Sequence, residues 1–144
     1  MEQLVQNLCD QKQGYTQFGG LRPFGVSFLF GGWDKSCGFQ LYQSDPSGNY
    51  AGWSATAIGA NAQAAQAILK TEYVDGMTLV DARKLAVKVL KQTMDSTLLT
   101  PDKVEMCEVG WADEATKKVA YRVLKETELK DLCDEANANA AKKD

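Results

Sequence analysis

The chain has 144 residues with a net charge of -3, 24% charged and 44% hydrophobic side chains. That length suits one domain, which on folding buries about 68–70% of the surface of its unfolded chain. There is no basic excess to neutralise phosphates or anionic lipid, so neither nucleic acid nor membrane is expected as a direct partner. No apolar run reaches the ~20 residues that cross a bilayer as a helix.

Cys9, Cys37, Cys107 and Cys133 are scattered without a CxxC pair, and the sequence holds no histidine. A zinc-type site is therefore not expected, and neither is a Ser-His or Cys-His nucleophile pair within this segment. Free structural thiols suit a reducing compartment, so the expected location is cytoplasmic and nuclear.

In chain order, Leu4, Val5, Leu8 and Cys9 share one helical face within residues 2–15. Gly14, Gly19-Gly20 and Pro23 then break the helix, and the apolar run 25–30 reads as a buried strand. Gly31-Gly32 is followed by neither GxGxxG nor P-loop spacing, so no nucleotide site is expected. Residues 37–43 and 49–58 form two strands around Asp45-Pro46-Ser47-Gly48. Aspartate accepts from the backbone two residues on, proline presets φ, and Gly48 tolerates a left-handed conformation, so the run predicts a hairpin. Parity places Phe39, Leu41 and Gln43 on one face before the turn.

Asn61 is placed to cap a helix through Lys70, with Ala62, Ala64 and Ala65 as its small face. Thr78 and Asp81 resemble a capping box, followed by a stripe of Ala82, Leu85, Ala86, Val89, Leu90 and Thr93. Val104, Met106 and Glu108 alternate before Gly110, as do Val119, Tyr121 and Val123, predicting a second hairpin across the polar stretch 112–118. Thr127 is expected to cap a last helix carrying Leu129, Leu132, Cys133 and Ala136, with residues 135–144 frayed. Runs of strands and runs of helices, rather than βαβα alternation, indicate an α+β fold.

The stretch Gln40 to Gly59, LYQSDPSGNY and then ATAIG before an alanine-rich helix, resembles the 20S proteasome subunits, as do Tyr15-Thr16-Gln17 and Arg22-Pro23-Phe24-Gly25-Val26-Ser27 upstream. The resemblance is to the alpha branch of that family and covers nearly the whole chain. It implies the alpha-beta-beta-alpha four-layer sandwich of the N-terminal-nucleophile hydrolases. Because the hairpin begins at residue 40, it also implies that residues 1–144 correspond to the C-terminal part of one subunit domain, truncated at the N terminus.

The same resemblance implies a non-catalytic member of the alpha ring, with assembly, gating and regulator docking in ubiquitin-dependent degradation as its work. Catalytic relatives read A-x-G-S-G after the second hairpin strand, whereas Ala60 stands here in place of the serine. Their later R-D-x-x-S-G-G segment is reduced to Asp95 within Met94-Asp95-Ser96-Thr97-Leu98. No catalytic, cofactor-binding or metal residue is therefore assigned, and a threonine-protease or related amidase subunit is the alternative. The implied partners are neighbouring alpha and beta subunits and, through the ring, a regulatory particle.

Gln3, Gln6, Asn7, Asp10 and Gln13 are the ring-interface candidates, on the polar face of a helix that packs between rings in relatives. Asp45, Pro46 and Gly48 are the fold-defining turn. Trp33, Trp53 and Trp111 stay open between core packing and interface anchoring. Strands deprived of sheet partners expose unpaired backbone, so the isolated chain is expected to self-associate.

Overall fold

A computed structural model describes residues 1–94 and 98–140, without the side chains of residues 139 and 140. It divides into two compact units, Met1–Ile58 and Gly59–Asp144.

In the first unit, α1 (Glu2–Gly14) is followed by the antiparallel strands β1 (Phe28–Asp34), β2 (Gly38–Ser44) and β3 (Tyr50–Gly52), in that spatial order. The face of α1 that turns inward carries Val5, Cys9 and Lys12 at i, i+4 and i+7, all buried. Leu4, expected on that face, is 62% exposed, because it lies a helical step to the side of the Val5–Cys9–Lys12 line. Burying Val5 completely contributes about 1.5–3 kcal/mol.

Two strand boundaries differ from those expected. β1 begins at Phe28 and continues through Gly31 and Gly32, which pair with Leu41 and Gln40. Glycine costs a strand entropy, but here the ladder with β2 holds through the pair, while residues 25–27 have no opposing strand. The third strand ends at Gly52 rather than Ile58: only Tyr50, Ala51 and Gly52 pair with β2, and one more bond joins Trp53 N to Leu41 O at 2.9 Å. Beyond it Thr56 is held by the side chain of Gln43, whose Oε1 accepts its hydroxyl at 2.5 Å.

The second unit contains α2 (Ala62–Glu72), α3 (Leu79–Thr93), a single 3-10 turn (Pro101–Lys103), the hairpin β4 (Cys107–Asp113) and β5 (Lys118–Val123), and α4 (Glu126–Ala140). Asn61 precedes α2 but does not cap it with its side chain: at φ +58 it turns its amide away, and Nδ2 donates to Thr93 O at 2.7 Å. The reading at Thr78 holds, with Asp81 N donating to Thr78 Oγ1 at 3.1 Å and the hydroxyl donating to Asp81 Oδ2 at 2.6 Å.

On α3 the buried residues are Leu85, Val87 and Val89. Val87, outside the expected stripe, joins Leu99, Val104, Leu124, Leu129 and Cys133 in the core, while Ala86 and Leu90 are exposed. A helix covered from more than one side buries a wider arc than a single amphipathic stripe.

Thr127 lies within the first turn of α4 rather than before it. Lys125 occupies the cap position, and Glu128 Oε2 accepts its N–H at 3.0 Å, the back-reaching half of a capping box. The helix runs into the stretch expected to fray. There Asn137 accepts from Leu99 N at 3.1 Å and donates to Leu99 O at 2.8 Å.

Candidate subunit interface

The first unit is built around the junction of α1 with the β1–β2 face. Alternation along the strands puts Phe28, Phe30, Gly32 and Asp34 on one face of β1, opposite Ser44, Tyr42, Gln40 and Gly38 of β2. At one end of α1 the Met1 side chain covers Gly32 so closely that an added Cβ there lies 2.4 Å from its sulfur. The Met1 ammonium pairs with Asp34 Oδ2 at 2.8 Å. Asp34 also accepts from Ser36 N, Ser36 Oγ, Cys37 N and Gln40 Nε2, between 2.7 and 3.0 Å. The Met1 ammonium first, then Gln40, holds its carboxyl far below the usual range.

At the other end Lys12 is 1% exposed. A buried ammonium is costly unless its protons are used, and all three are. Nζ donates to Val26 O at 2.9 Å, to Ser44 Oγ at 3.1 Å and to Asp45 O at 2.9 Å. It also lies 4.5 Å from the Phe28 ring centroid, within cation–π range. One side chain thereby ties α1 to the approach to β1, to the end of β2 and to the hairpin turn.

That turn is organised by Asp45. Its Oδ1 accepts from Ser47 N at 2.8 Å, Ser47 Oγ at 2.6 Å and Asn49 N at 3.1 Å. The backbone closes with Gly48 N to Asp45 O at 3.2 Å and Asp45 N to Asn49 O at 2.9 Å. The Ser47 hydroxyl, outweighing burial and helped by the Asn49 and Ser47 N–H groups and Lys12, lowers the Asp45 pKa.

Gly48 has φ +92, and a Cβ there would meet Cys9 O at 2.4 Å and Gln13 N at 2.9 Å. The turn thus rests on the backbone of α1, and both the conformation and the space require glycine. Pro46 is half-buried beside it.

Gln3, Gln6, Asn7, Asp10 and Gln13 are all exposed; Gln3, Asn7 and Asp10 point away from the Val5–Cys9–Lys12 line, whereas Gln6 and Gln13 lie beside it and Gln13 borders Gly48. Helical periodicity brings them onto one face, whose inner side is pinned by Lys12 and Gly48. The result is an amide-rich surface with one carboxylate, able to hydrogen-bond across a protein contact. Sequence reasoning missed Lys12, although its i, i+4, i+7 spacing with Val5 and Cys9 carried the signal.

In the second unit, Glu108 on β4 is the main electrostatic junction. Its Oε2 accepts from Arg83 Nε at 2.7 Å and its Oε1 from Arg83 Nη2 at 2.9 Å. Arg122 on β5 pairs with the same carboxylate and, through Nη1, with Glu128 at 2.9 Å. Burial opposes ionisation of Glu108, but the two arginines outweigh it and lower its pKa. The hairpin's other face carries Cys107, Val109, Trp111, Val119, Tyr121 and Val123, with Tyr121 65% and Val123 57% exposed.

Ala60 is exposed between Gly59, at φ +97, and Asn61. Asp95, Ser96 and Thr97 lie outside the described residues. No helix of the described residues is long and apolar enough to cross a membrane, and no group of three or more His, Cys, Asp or Glu among them could hold a metal ion.

Residues 1–109 match the family described as "Proteasome: Proteasome subunit". The chain belongs to the proteasome subunit family. Its fold is accordingly the α+β, N-terminal-nucleophile-hydrolase-like proteasome fold.

Among curated proteins it is 67% identical over 123 residues to proteasome subunit alpha type-4-1 of Oryza sativa subsp. indica, covering 85% of this chain and 49% of that one. It is 63% identical over 136 residues to proteasome subunit alpha type-4 of Spinacia oleracea, covering 94% of this chain and 54% of that one. Against proteasome subunit alpha type-4-A of Arabidopsis thaliana the identity is 67% over 118 residues, covering 82% and 47%. The chain therefore spans about half the length of the curated relatives it matches. All three are alpha-type subunits, in agreement with the alpha-branch resemblance carried by LYQSDPSGNY, Tyr15-Thr16-Gln17 and Arg22-Pro23-Phe24-Gly25-Val26-Ser27 and not with the threonine-protease alternative.

Proposed function

We propose that this chain acts as a non-catalytic structural subunit of the 20S proteasome alpha ring, supporting assembly, gating and regulator docking in ubiquitin-dependent protein degradation. The observation that carries the proposal is the 63–67% identity to alpha type-4 subunits over 118 to 136 residues. Ala60 in place of a serine supports the non-catalytic reading. In this account its two units are parts of one subunit domain.

The outer face of α1, with Gln3, Gln6, Asn7, Asp10 and Gln13, is the contact to a neighbouring ring subunit. Its exposure and the rigid tie of α1 to the sheet support that role, since a preorganised surface loses little entropy on docking. The protein works in the cytoplasm and nucleus; four free thiols support a reducing environment. On its own the chain self-associates through strand edges and the apolar β4–β5 face.

A tagged copy expressed from its own locus tests the proposal. Purification should return alpha and beta proteasome subunits in a particle resolved by native mass spectrometry, and the purified chain alone should cleave no fluorogenic peptide. Recovery without other subunits, or peptidase turnover by the chain alone, overturns it. Light scattering across micromolar concentrations tests self-association, which a clean monomer would contradict.

A further inference from the structure

β4 and β5 pair only with each other, so among the described residues each has one edge with no strand beside it. Leu124 N donates to Met106 O at 2.9 Å, which makes that pair, and with it Glu108–Arg122 and Gly110–Ala120, the hydrogen-bonded pairs of the ladder. Backbone groups alternate from side to side along a strand, so the N–H and C=O of Val119, Tyr121 and Val123 turn away from β4. Among the described residues no hydrogen bond engages these backbone groups.

Sheet edges are kept from pairing by proline, by charge or by a bulge. From Val119 to Val123 β5 has no proline and keeps an unbroken register, the irregularity lying nearer the turn between Trp111 and Asp113. Its charged residue in that stretch, Arg122, sits on the opposite face, paired with Glu108 and Glu128. Val119, Tyr121 and Val123 put their side chains on the apolar face of the hairpin, Tyr121 at 65% and Val123 at 57% exposure.

We propose that β5 pairs antiparallel with β5 of a second copy of this chain, about a two-fold axis at Tyr121. The pairing rests on the self-association proposed above and gives it an edge and a register. Tyr121 then faces Tyr121, and Val119 faces Val123, of the second copy. Each such pair exchanges two hydrogen bonds, so every outward N–H and C=O of the three residues is used.

Other registers do worse. A slip of one residue sets outward groups against inward ones and turns the side chains to opposite faces. A slip of two sets Arg122 against either Arg122 or Lys118 of the second copy, and like charges directly opposite destabilise a pair. In the proposed register Arg122 faces Ala120. Strands β4 and β5 of both copies then make one sheet, whose apolar face runs unbroken across the axis through Val119, Tyr121 and Val123. The contact is isologous and closes on itself as a dimer.

The test uses the complete chain, with association measured by sedimentation and single amides read by hydrogen exchange in NMR at rising concentration. The amides of Val119, Tyr121 and Val123 should slow as the dimer forms, while those of Cys107 and Val109, on the outer edge of β4, keep their rates. Val119→Lys with Val123→Lys sets lysine against lysine twice across the axis, whereas Val119→Glu with Val123→Lys sets glutamate against lysine. The second variant should dimerise about tenfold more tightly than the first, a difference that high salt removes. Exchange at the ladder amides of Glu108 and Arg122 checks that the hairpin is intact in both. Association with unchanged exchange at residues 119, 121 and 123, or equal dimerisation of the two variants, overturns this pairing and leaves the self-association standing. A monomer at every concentration overturns both.

Discussion

Lys12 Nζ and Ser44 Oγ meet at 3.1 Å in the interior of the first unit, with Lys12 1% exposed and Ser44 0% exposed. An ammonium placed there couples the register of β2 to the rotation of α1 about its axis. Rotating α1 by one residue would take Nζ away from Val26 O, Ser44 Oγ and Asp45 O together. The orientation of Gln3, Gln6, Asn7, Asp10 and Gln13 is thereby fixed from the opposite side of the helix.

Replacing Lys12 by methionine keeps much of the aliphatic volume but removes the donor from Val26 O and Ser44 Oγ, while Asp45 O keeps only Gly48 N. Buried polar groups stranded this way cost about 1–3 kcal/mol each before relaxation, so a total loss of roughly 2–4 kcal/mol is expected. Lys12→Ala should cost more, because a cavity is added. Urea unfolding midpoints of the two variants, compared with the parent chain, check both the size and the order.

Gly48 and Gly38 separate conformational strain from steric exclusion. Both have positive φ, +92 and +72, but only Gly48 has backbone within reach of an added Cβ. Gly38→Ala should cost about 1–2 kcal/mol, the left-handed penalty alone. Gly48→Ala carries that penalty plus displacement of the turn from Cys9 O and Gln13 N, so a loss of about 3–5 kcal/mol is expected. Equal thermal destabilisation of the two variants would show that the turn does not rest on α1.

Asp45 gives the first unit an acid limb. Its folded-state pKa lies below the ordinary value of 3.8, chiefly because of the Ser47 hydroxyl. The carboxylate therefore contributes stability that is present above the unfolded-state pKa and is lost as pH falls from 3.8 through the folded value. Asp45→Asn should be less stable at neutral pH and show a flatter profile below pH 4, and Ser47→Ala should move the limb upward. Unfolding free energies measured across that acid range check the sign.

The hairpin at Asp45 was legible because its chemistry is local: the side chain, the proline and the glycine act within five residues. The same holds for Thr78 and Asp81. The place of Lys12 on the Val5–Cys9 face was legible in the helical spacing, but the partners that satisfy it there were not, since its acceptors come from Val26, Ser44 and Asp45, at separations of 14, 32 and 33 residues. The β1 boundary was misplaced for a related reason: Gly31-Gly32 reads locally as a break, and only the opposing Gln40 and Leu41 make it strand. Asn61 was a good local cap candidate, and a distant carbonyl, Thr93 O, took its amide instead. The exposure of the polar α1 residues followed from helical period alone. What they touch depends on another chain.

Incorporation of outer-face variants into the proteasome tests that contact most directly. Asn7→Arg combined with Asp10→Arg changes the charge of the α1 surface at two exposed positions, away from Lys12 and Gly48, so folding should be little affected. Tagged parent and variant chains, expressed from their own locus, are compared by native mass spectrometry of the purified particles. The account predicts that the parent is recovered with alpha and beta subunits and that the variant, equally abundant and equally stable, loses most of that association. Full incorporation of the variant, or a parent chain recovered free of other subunits, would contradict it.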